Sequence, residues 1–499
     1  MNSRGKASAA LALHRFGFGP RVRVGDDALS AIAADPRGAL LADIDRPNAG
    51  LLAVDLPSSA QAARAVYDFR AEEQAKHKIA QRARKEVEAV STPQAMAQPT
   101  MVALATTAPA RKPADGKEPP LPQRILQNEA AARISAAVGA DVGFVERLVW
   151  FWSNHFCVSA NKDIGTAGAY EREAIRPHVL GRFADMLQAV ESHPAMLVYL
   201  DNVHSMGANS VDGINRGRGP NENLARECLE LHTLGVHGGY SQQDVISLAN
   251  VLTGWSQIEP GEPEHGGEFV FIKRLHEPGE RLVLGKTYSD DGVAQGRAVL
   301  ADLARHPATA QRVALKLARH FVADDPPPSL VSRLANTFES TDGSLKEVAK
   351  TLVTAEESWT ARRTKLKPPA EWIVGVLRLA EAPPSRSSAV VDLRTGESEW
   401  LKIGRVLGLH AMLGQALWRP PAPNGWPDDE AAWIDGVPRR LDIANELALR
   451  LRRDIDPIEL VDRSLGPLAS PDTRQTIARA ESRPQAFALL VMTPEFLRR

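Results

Sequence analysis

Pro220-Asn-Glu-Asn-Leu-Ala-Arg-Glu-Cys-Leu-Glu-Leu-His-Thr-Leu-Gly235 holds the densest set of polar side chains in the chain, and the fold is read outward from it. The pattern predicts a helix over 221–234, with Asn221 able to cap its start and Gly235 suited to its end. At 3.6 residues per turn, Leu224, Cys228, Leu231 and Leu234 make an apolar stripe, while Asn223, Arg226, Glu227 and Glu230 share the opposite face. Arg226 can pair with Glu222 on one side and Glu230 on the other, at i,i+4 spacing in both cases. Three readings of this face are open: a solvated salt-bridge network, a buried brace, or a catalytic or metal site.

The brace and site readings need a second element. Residues 145–156 (VERLVWFWSNHF) are apolar almost all round, so they predict a buried helix that carries Arg147, Asn154 and His155 inward. Buried charges need partners, and the polar face of 221–234 would supply them. In the site reading Glu227 and Glu230 are metal ligands or general acid and base. His155 or His276 is then a further ligand, and Arg226 holds an anion. Asn221, Glu222, Asn223, Arg147, Asn154, His276 and Glu277 line the site. A divalent metal would polarise a substrate or acidify bound water. The spacing argues weakly for it, since there is no His-Glu-x-x-His and Glu230 and His232 point to different faces. His155, in an aromatic helix, reads most simply as a core histidine bonded to a backbone carbonyl.

Elsewhere helices dominate: 123–200, 244–252 (opened by a capping box at Ser241 and Asp244), 293–303, 307–321, 328–338, 344–354 and 368–381. Pro307, Pro328 and Pro368 suit first helical turns. His193-Pro194 and His306-Pro307 read as helix starts, and Lys316 and Arg319 as a solvated face. Residues 61–89 are a charged, Ala-rich, exposed helix. FVFIKRL and RLVLGKTY flank HEPGE within 268–288, which predicts one small β-hairpin with His276 and Glu277 at its tip. Residues 91–122, rich in Pro, Ala and Thr, read as a flexible insertion, and 382–397 as a second loop. The segment 418–435, with three tryptophans among prolines, should pack its indoles onto the helical body. The expected fold is all-α, mainly helical: a single large unit over 1–499 with one β-hairpin and long irregular loops.

Lys and Arg total 60 against 61 Asp and Glu, a net charge of −1. That balance gives no electrostatic case for nucleic acid or anionic lipid as the main partner. Two cysteines, Cys157 and Cys228, are too few for a disulfide framework and read as buried thiols, although one bridge is possible. No window approaches a membrane span, and the apolar run 7–13 is short for a signal peptide without a convincing cleavage site, so a soluble cytoplasmic protein is the default expectation. There is no Gly-x-Ser-x-Gly, P-loop or dinucleotide fingerprint.

The opening HRFGFGP, then ERLVWFWSNHF, HPAMLVYLDN, PNENLARECLELHTLGV, DVISLANVLTGW, HEPGERLVLG, HPATAQRVALKLARHFV and LGQALWRPPAPNGWP, in that order, resemble the bacterial domain-of-unknown-function 1800 family. The resemblance spans nearly the whole chain apart from 61–122 and the loop near 382. It implies a largely helical unit and no established reaction. It also implies a partner, an exported protein of the alkaline-phosphatase/sulfatase type encoded nearby, with which this chain would travel if that partner is exported folded. The family tends to carry Asp where this chain has Glu277, and Gly-Gly where it has Asp428-Asp429. Two functions follow: a metal-assisted hydrolase or redox enzyme, or a non-catalytic scaffold or chaperone-like subunit for that partner.

Overall fold

The computed structural model describes residues 3–22, 27–90, 118–214, 216–217, 219–360, 362–380, 403–449 and 456–499. The expected insertion, apart from 118–122, and the loop 382–397 fall outside them. The chain is mainly helical. One cluster of buried apolar residues runs from Ala12 to Leu497.

The Phe144–His155 helix lies inside that cluster, as its composition predicts; Asn154 alone along it is not fully buried. Leu121–Gly139 and Pro369–Leu379 pack near it, and Pro307–Phe321 pairs with Pro328–Ser340. The start signals act as expected. Ser241 and Asp244 form a reciprocal capping box ahead of Gln242–Val251. His193 and His306 cap their helices by accepting the amides of Ala195 and Ala308. Ser3–Arg15 also belongs to the core, with Ala9, Ala10 and Leu13 buried.

Two expectations are corrected. The first is the single hairpin. Strands β1 (Trp255–Gln257) and β2 (Phe269–Phe271) pair antiparallel, and β3 (Arg281–Val283) and β4 (Lys286–Tyr288) make a separate pair. The cause is a two-residue turn: Leu284 and Gly285 both adopt positive φ, 49° and 75°, which suits a tight hairpin and lets RLVLGKTY close on itself. β2 is left to pair with the strand after Gly254. His276 and Glu277 therefore sit buried in the connection from β2 to β3 rather than at a projecting tip.

The second is the continuous helix over 221–234. It is α-helical over Asn223–Glu227 and then widens to a π-helix over Cys228–His232. The wider turn swings His232 into the core, where its Nδ1 lies 2.6 Å from the buried Glu191.

The segments at either end of the chain interlock. Arg147 donates to the carbonyl of Gly17 at 2.6 Å, and the amide of Lys367 to that of Leu497 at 2.8 Å. Arg499 pairs with Glu371, and both are buried.

Candidate functional site

The residues expected to form the site do not converge. Arg226 donates to Glu222 at 2.8 Å and to Glu230 at 3.3 Å, with Gln242 joining at 2.9 Å. The side chains of Arg226, Glu222 and Glu230 are 37%, 36% and 25% exposed, so this face is the solvated network. Asn223 is exposed, and Asn221 lies one residue before the N-cap, Glu222, closing a local turn by accepting the Asn223 amide at 2.9 Å. Glu227 is half-buried; burial, with Glu230 and Glu191 nearby, raises its pKa against the pull of His232 and Arg226.

His155 is a core histidine. Its Nε2 donates to the carbonyl of His232 at 3.1 Å, and burial, reinforced by Lys316, holds it neutral. It thus meets this element through backbone and not through the carboxylates. His276 bonds the Thr253 carbonyl at 2.9 Å, and Glu277 accepts from Asn209 amide (2.8 Å) and Nδ2 (2.6 Å) and from Arg281 (3.2 Å), tying the 201–219 loop to the sheets. Among the described residues no three His, Cys, Asp or Glu side chains are grouped to hold a metal. The four candidates Glu227, Glu230, His155 and His276 therefore do not fit one as a set.

Arg147 and Asn154 point elsewhere, and following them leads to a pocket. Arg147 is fully buried and lies 3.0 Å from Glu371. Its Nη2 also approaches His320 Nε2 at 3.1 Å. An arginine can only donate, so His320 accepts there and its Nδ1 donates to Asp428 at 3.0 Å. Arg499 and Lys365 complete this wall around Glu371 and Asp428. Burial lowers Arg147 to about 9 and His320 to about 4. Burial opposes ionisation of Glu371 and Asp428, but the cations outweigh it and hold both below the usual carboxylate range. Asn154 bonds the backbone of Trp426 at both its amide and its carbonyl.

The pocket lies between this wall and a second one, and has about 700 Å³ of space between atoms, its open mouth included. The second wall is built on Arg133, which is 6% exposed. Its guanidinium carbon lies 4.2 Å over the Trp150 ring and 5.4 Å over that of Trp418. Its Nε is 2.9 Å from Glu171 but off the line of a hydrogen bond. Its two Nη groups make no hydrogen bond among the described residues. Trp418 holds φ at +50°, a rare conformation for a bulky side chain, and its indole donates to Glu171 at 3.2 Å.

Other groups in residues lining this pocket lack partners too. Among the described residues, Trp150 Nε1, Glu371 Oε2 and both ring nitrogens of His410 are buried without a well-aligned hydrogen bond, although the Gln415 backbone comes near His410. Cys157 lines the pocket as a thiol pushed up to about 12 by burial, donating toward the carbonyl of Pro423. Both cysteines are free and buried.

The sequence reading named Arg147 and Asn154 but missed Arg133, His320, Glu371, His410 and Asp428. The signal available was charge inside apolar helices, as in residues 369–379, PAEWIVGVLRL. Lys316 was misplaced: it is half-buried, and burial lowers it to about 8, while Arg319 is exposed as expected.

The family model of a protein of unknown function, DUF1800, matches residues 11–498. The chain belongs to the DUF1800 family. No curated protein and no solved structure matched in searches of each. The family description carries no reaction, so the site stands on its own geometry. Among the described residues of this DUF1800 protein, no helix is long and apolar enough to cross a membrane.

Proposed function

We propose that this protein binds a small organic molecule in the tryptophan-lined pocket between the Arg133 wall and the Glu371–Asp428 wall. The observation that carries this reading is the clustering of unsatisfied buried polar groups in residues lining one cavity. Such groups cost about 1–3 kcal/mol each, and native proteins leave few of them. A ligand with its own donors and acceptors offsets that cost. Aromatic walls with a few convergent polar groups are the usual make-up of small-molecule sites.

Catalysis draws less support. His320 is engaged at both nitrogens and Cys157 is a protonated thiol, so neither is a free base or an activated nucleophile. For the metal-assisted reading, Glu227, Glu230 and His155 belong to no metal-holding group among the described residues. A binding subunit also suits the scaffold alternative, and co-purification with an alkaline-phosphatase/sulfatase-like protein would test that partnership.

The test is a thermal-shift screen of small metabolite-like compounds on the wild type and on Ala416→Trp, which sets an indole against the pocket from its half-buried lining. Compounds should raise the melting temperature of the wild type and lose that effect in the variant. Equal shifts in both proteins would place binding elsewhere and overturn the reading.

A further inference from the structure

We propose that the pocket's ligand carries a single carboxylate, seated on the Nη edge of Arg133; this rests on the binding role proposed above. Three observations support it.

The first is Arg133 itself. It is buried, lines the pocket, and leaves both Nη groups without a hydrogen-bond partner among the described residues. The guanidinium carbon lies over two indole rings and the residue is 6% exposed, so the side chain is held in place and its Nη edge offers two parallel donors. A carboxylate matches that fork with two charge-assisted bonds. Trp150 and Trp418 fix the plane of the fork and, with Trp426 and Leu417, give apolar surface for the rest of the molecule.

The second is charge. On the Arg133 side, Arg133 and Arg176 are matched by Glu171 and Glu146. On the other, Arg147, Arg499 and Lys365 are matched by Glu371, Asp428 and Asp324. Lys316, Lys367 and Arg440 stand beside these pairs with no ion pair among the described residues, Lys367 and Arg440 fully buried, so basic groups outnumber carboxylates around the two walls. A surplus of basic groups favours an anionic ligand, and the fork of Arg133 matches the two oxygens of a carboxylate.

The third is the distribution of acceptors. Glu371 and Asp428 line the far wall and already hold the cations there, so a second anionic group at that end would meet carboxylate oxygens. The ligand's far end is therefore uncharged.

The test is calorimetric titration of the full chain with matched acids and amides: benzoate against benzamide, and cyclohexanecarboxylate against its amide, with inorganic phosphate as a third probe. The acids should bind at least tenfold more tightly than their amides, and phosphate should not compete. Arg133→Gln should abolish the acid preference, and Arg133→Lys, which keeps the charge but not the fork, should weaken acid binding about tenfold. Acids and amides binding equally would overturn the carboxylate while leaving the pocket reading intact. Phosphate displacing benzoate would overturn the assignment to a monoanion. If acids and amides alike leave the wild type silent at millimolar concentration, the binding role falls and takes this inference with it. The acid–amide comparison needs no variant, so it stands even if substitution of Arg133 prevents folding.

Discussion

Asn154 grips the backbone of Trp426 from both sides, its Oδ1 accepting the amide at 2.8 Å and its Nδ2 donating to the carbonyl at 2.9 Å. The last turn of a buried helix thereby dictates where a proline-rich segment runs. Gly425, at φ +79°, passes so close that an added Cβ would stand 2.5 Å from the Asn154 carbonyl oxygen. This lock sets one side of the pocket.

Asn154→Ala removes both bonds and leaves the Trp426 amide and carbonyl to water. The expected loss is about 2 kcal/mol of stability, at about 1 kcal/mol per bond. Urea denaturation would measure it, and a change below about 0.5 kcal/mol would show that the segment is held by other contacts.

Glu371→Gln has a larger effect, because Arg147 and Arg499 are both fully buried against that carboxylate. Removing the countercharge of a buried pair typically costs about 3–5 kcal/mol. The melting temperature should fall by many degrees. An unchanged value would mean that water or Asp428 compensates.

Arg226→Gln should do little. The pairs it breaks are more than a third exposed on the arginine side, and such pairs contribute about 0–1 kcal/mol. A loss of several kcal/mol would mean that the 222–230 face is covered in the native protein.

Acid should unfold the protein early. His14, His155, His320 and His410 are buried, and burial lowers all four: His320 to about 4, His410 to about 3, the others well below the usual value. Their folded pKa values lie below the unfolded value near 6.5, so between the two the unfolded chain binds more protons. Stability is full above pH 6.5 and is lost as pH falls toward 4. With about four protons taken up, the slope approaches roughly 5 kcal/mol per pH unit. Thermal melts from pH 7.5 to 4.5 check this; a flat profile above pH 5 would refute it.

Helices were legible because their periodicity and caps are local: the apolar run 144–155, the prolines at helix starts and the Ser241 box need no knowledge of the rest. The π-turn at Cys228–His232 was not, because periodicity assumes a constant 3.6 residues, and the partner that His232 meets from the wider turn is Glu191, 41 residues away. The hairpin pairing is hidden for a related reason: partners are set by turn geometry, and a leucine at positive φ before Gly285 is not a residue that marks a turn in sequence. The Arg133 pocket joins residues 133, 150, 371, 410 and 428, which no spacing rule links. The solvated 222–230 network drew notice because its charges are contiguous.

The interlocking of the chain's ends sets an order on biosynthesis. Arg147 cannot be neutralised until the ribosome has made Glu371, and Glu371 waits in turn for Arg499. Helices formed early must therefore idle with part of their charge uncompensated until residues 371 and 499 have been made. That interval, in which apolar surface is exposed and closure is impossible, is when this protein would depend most on a holdase.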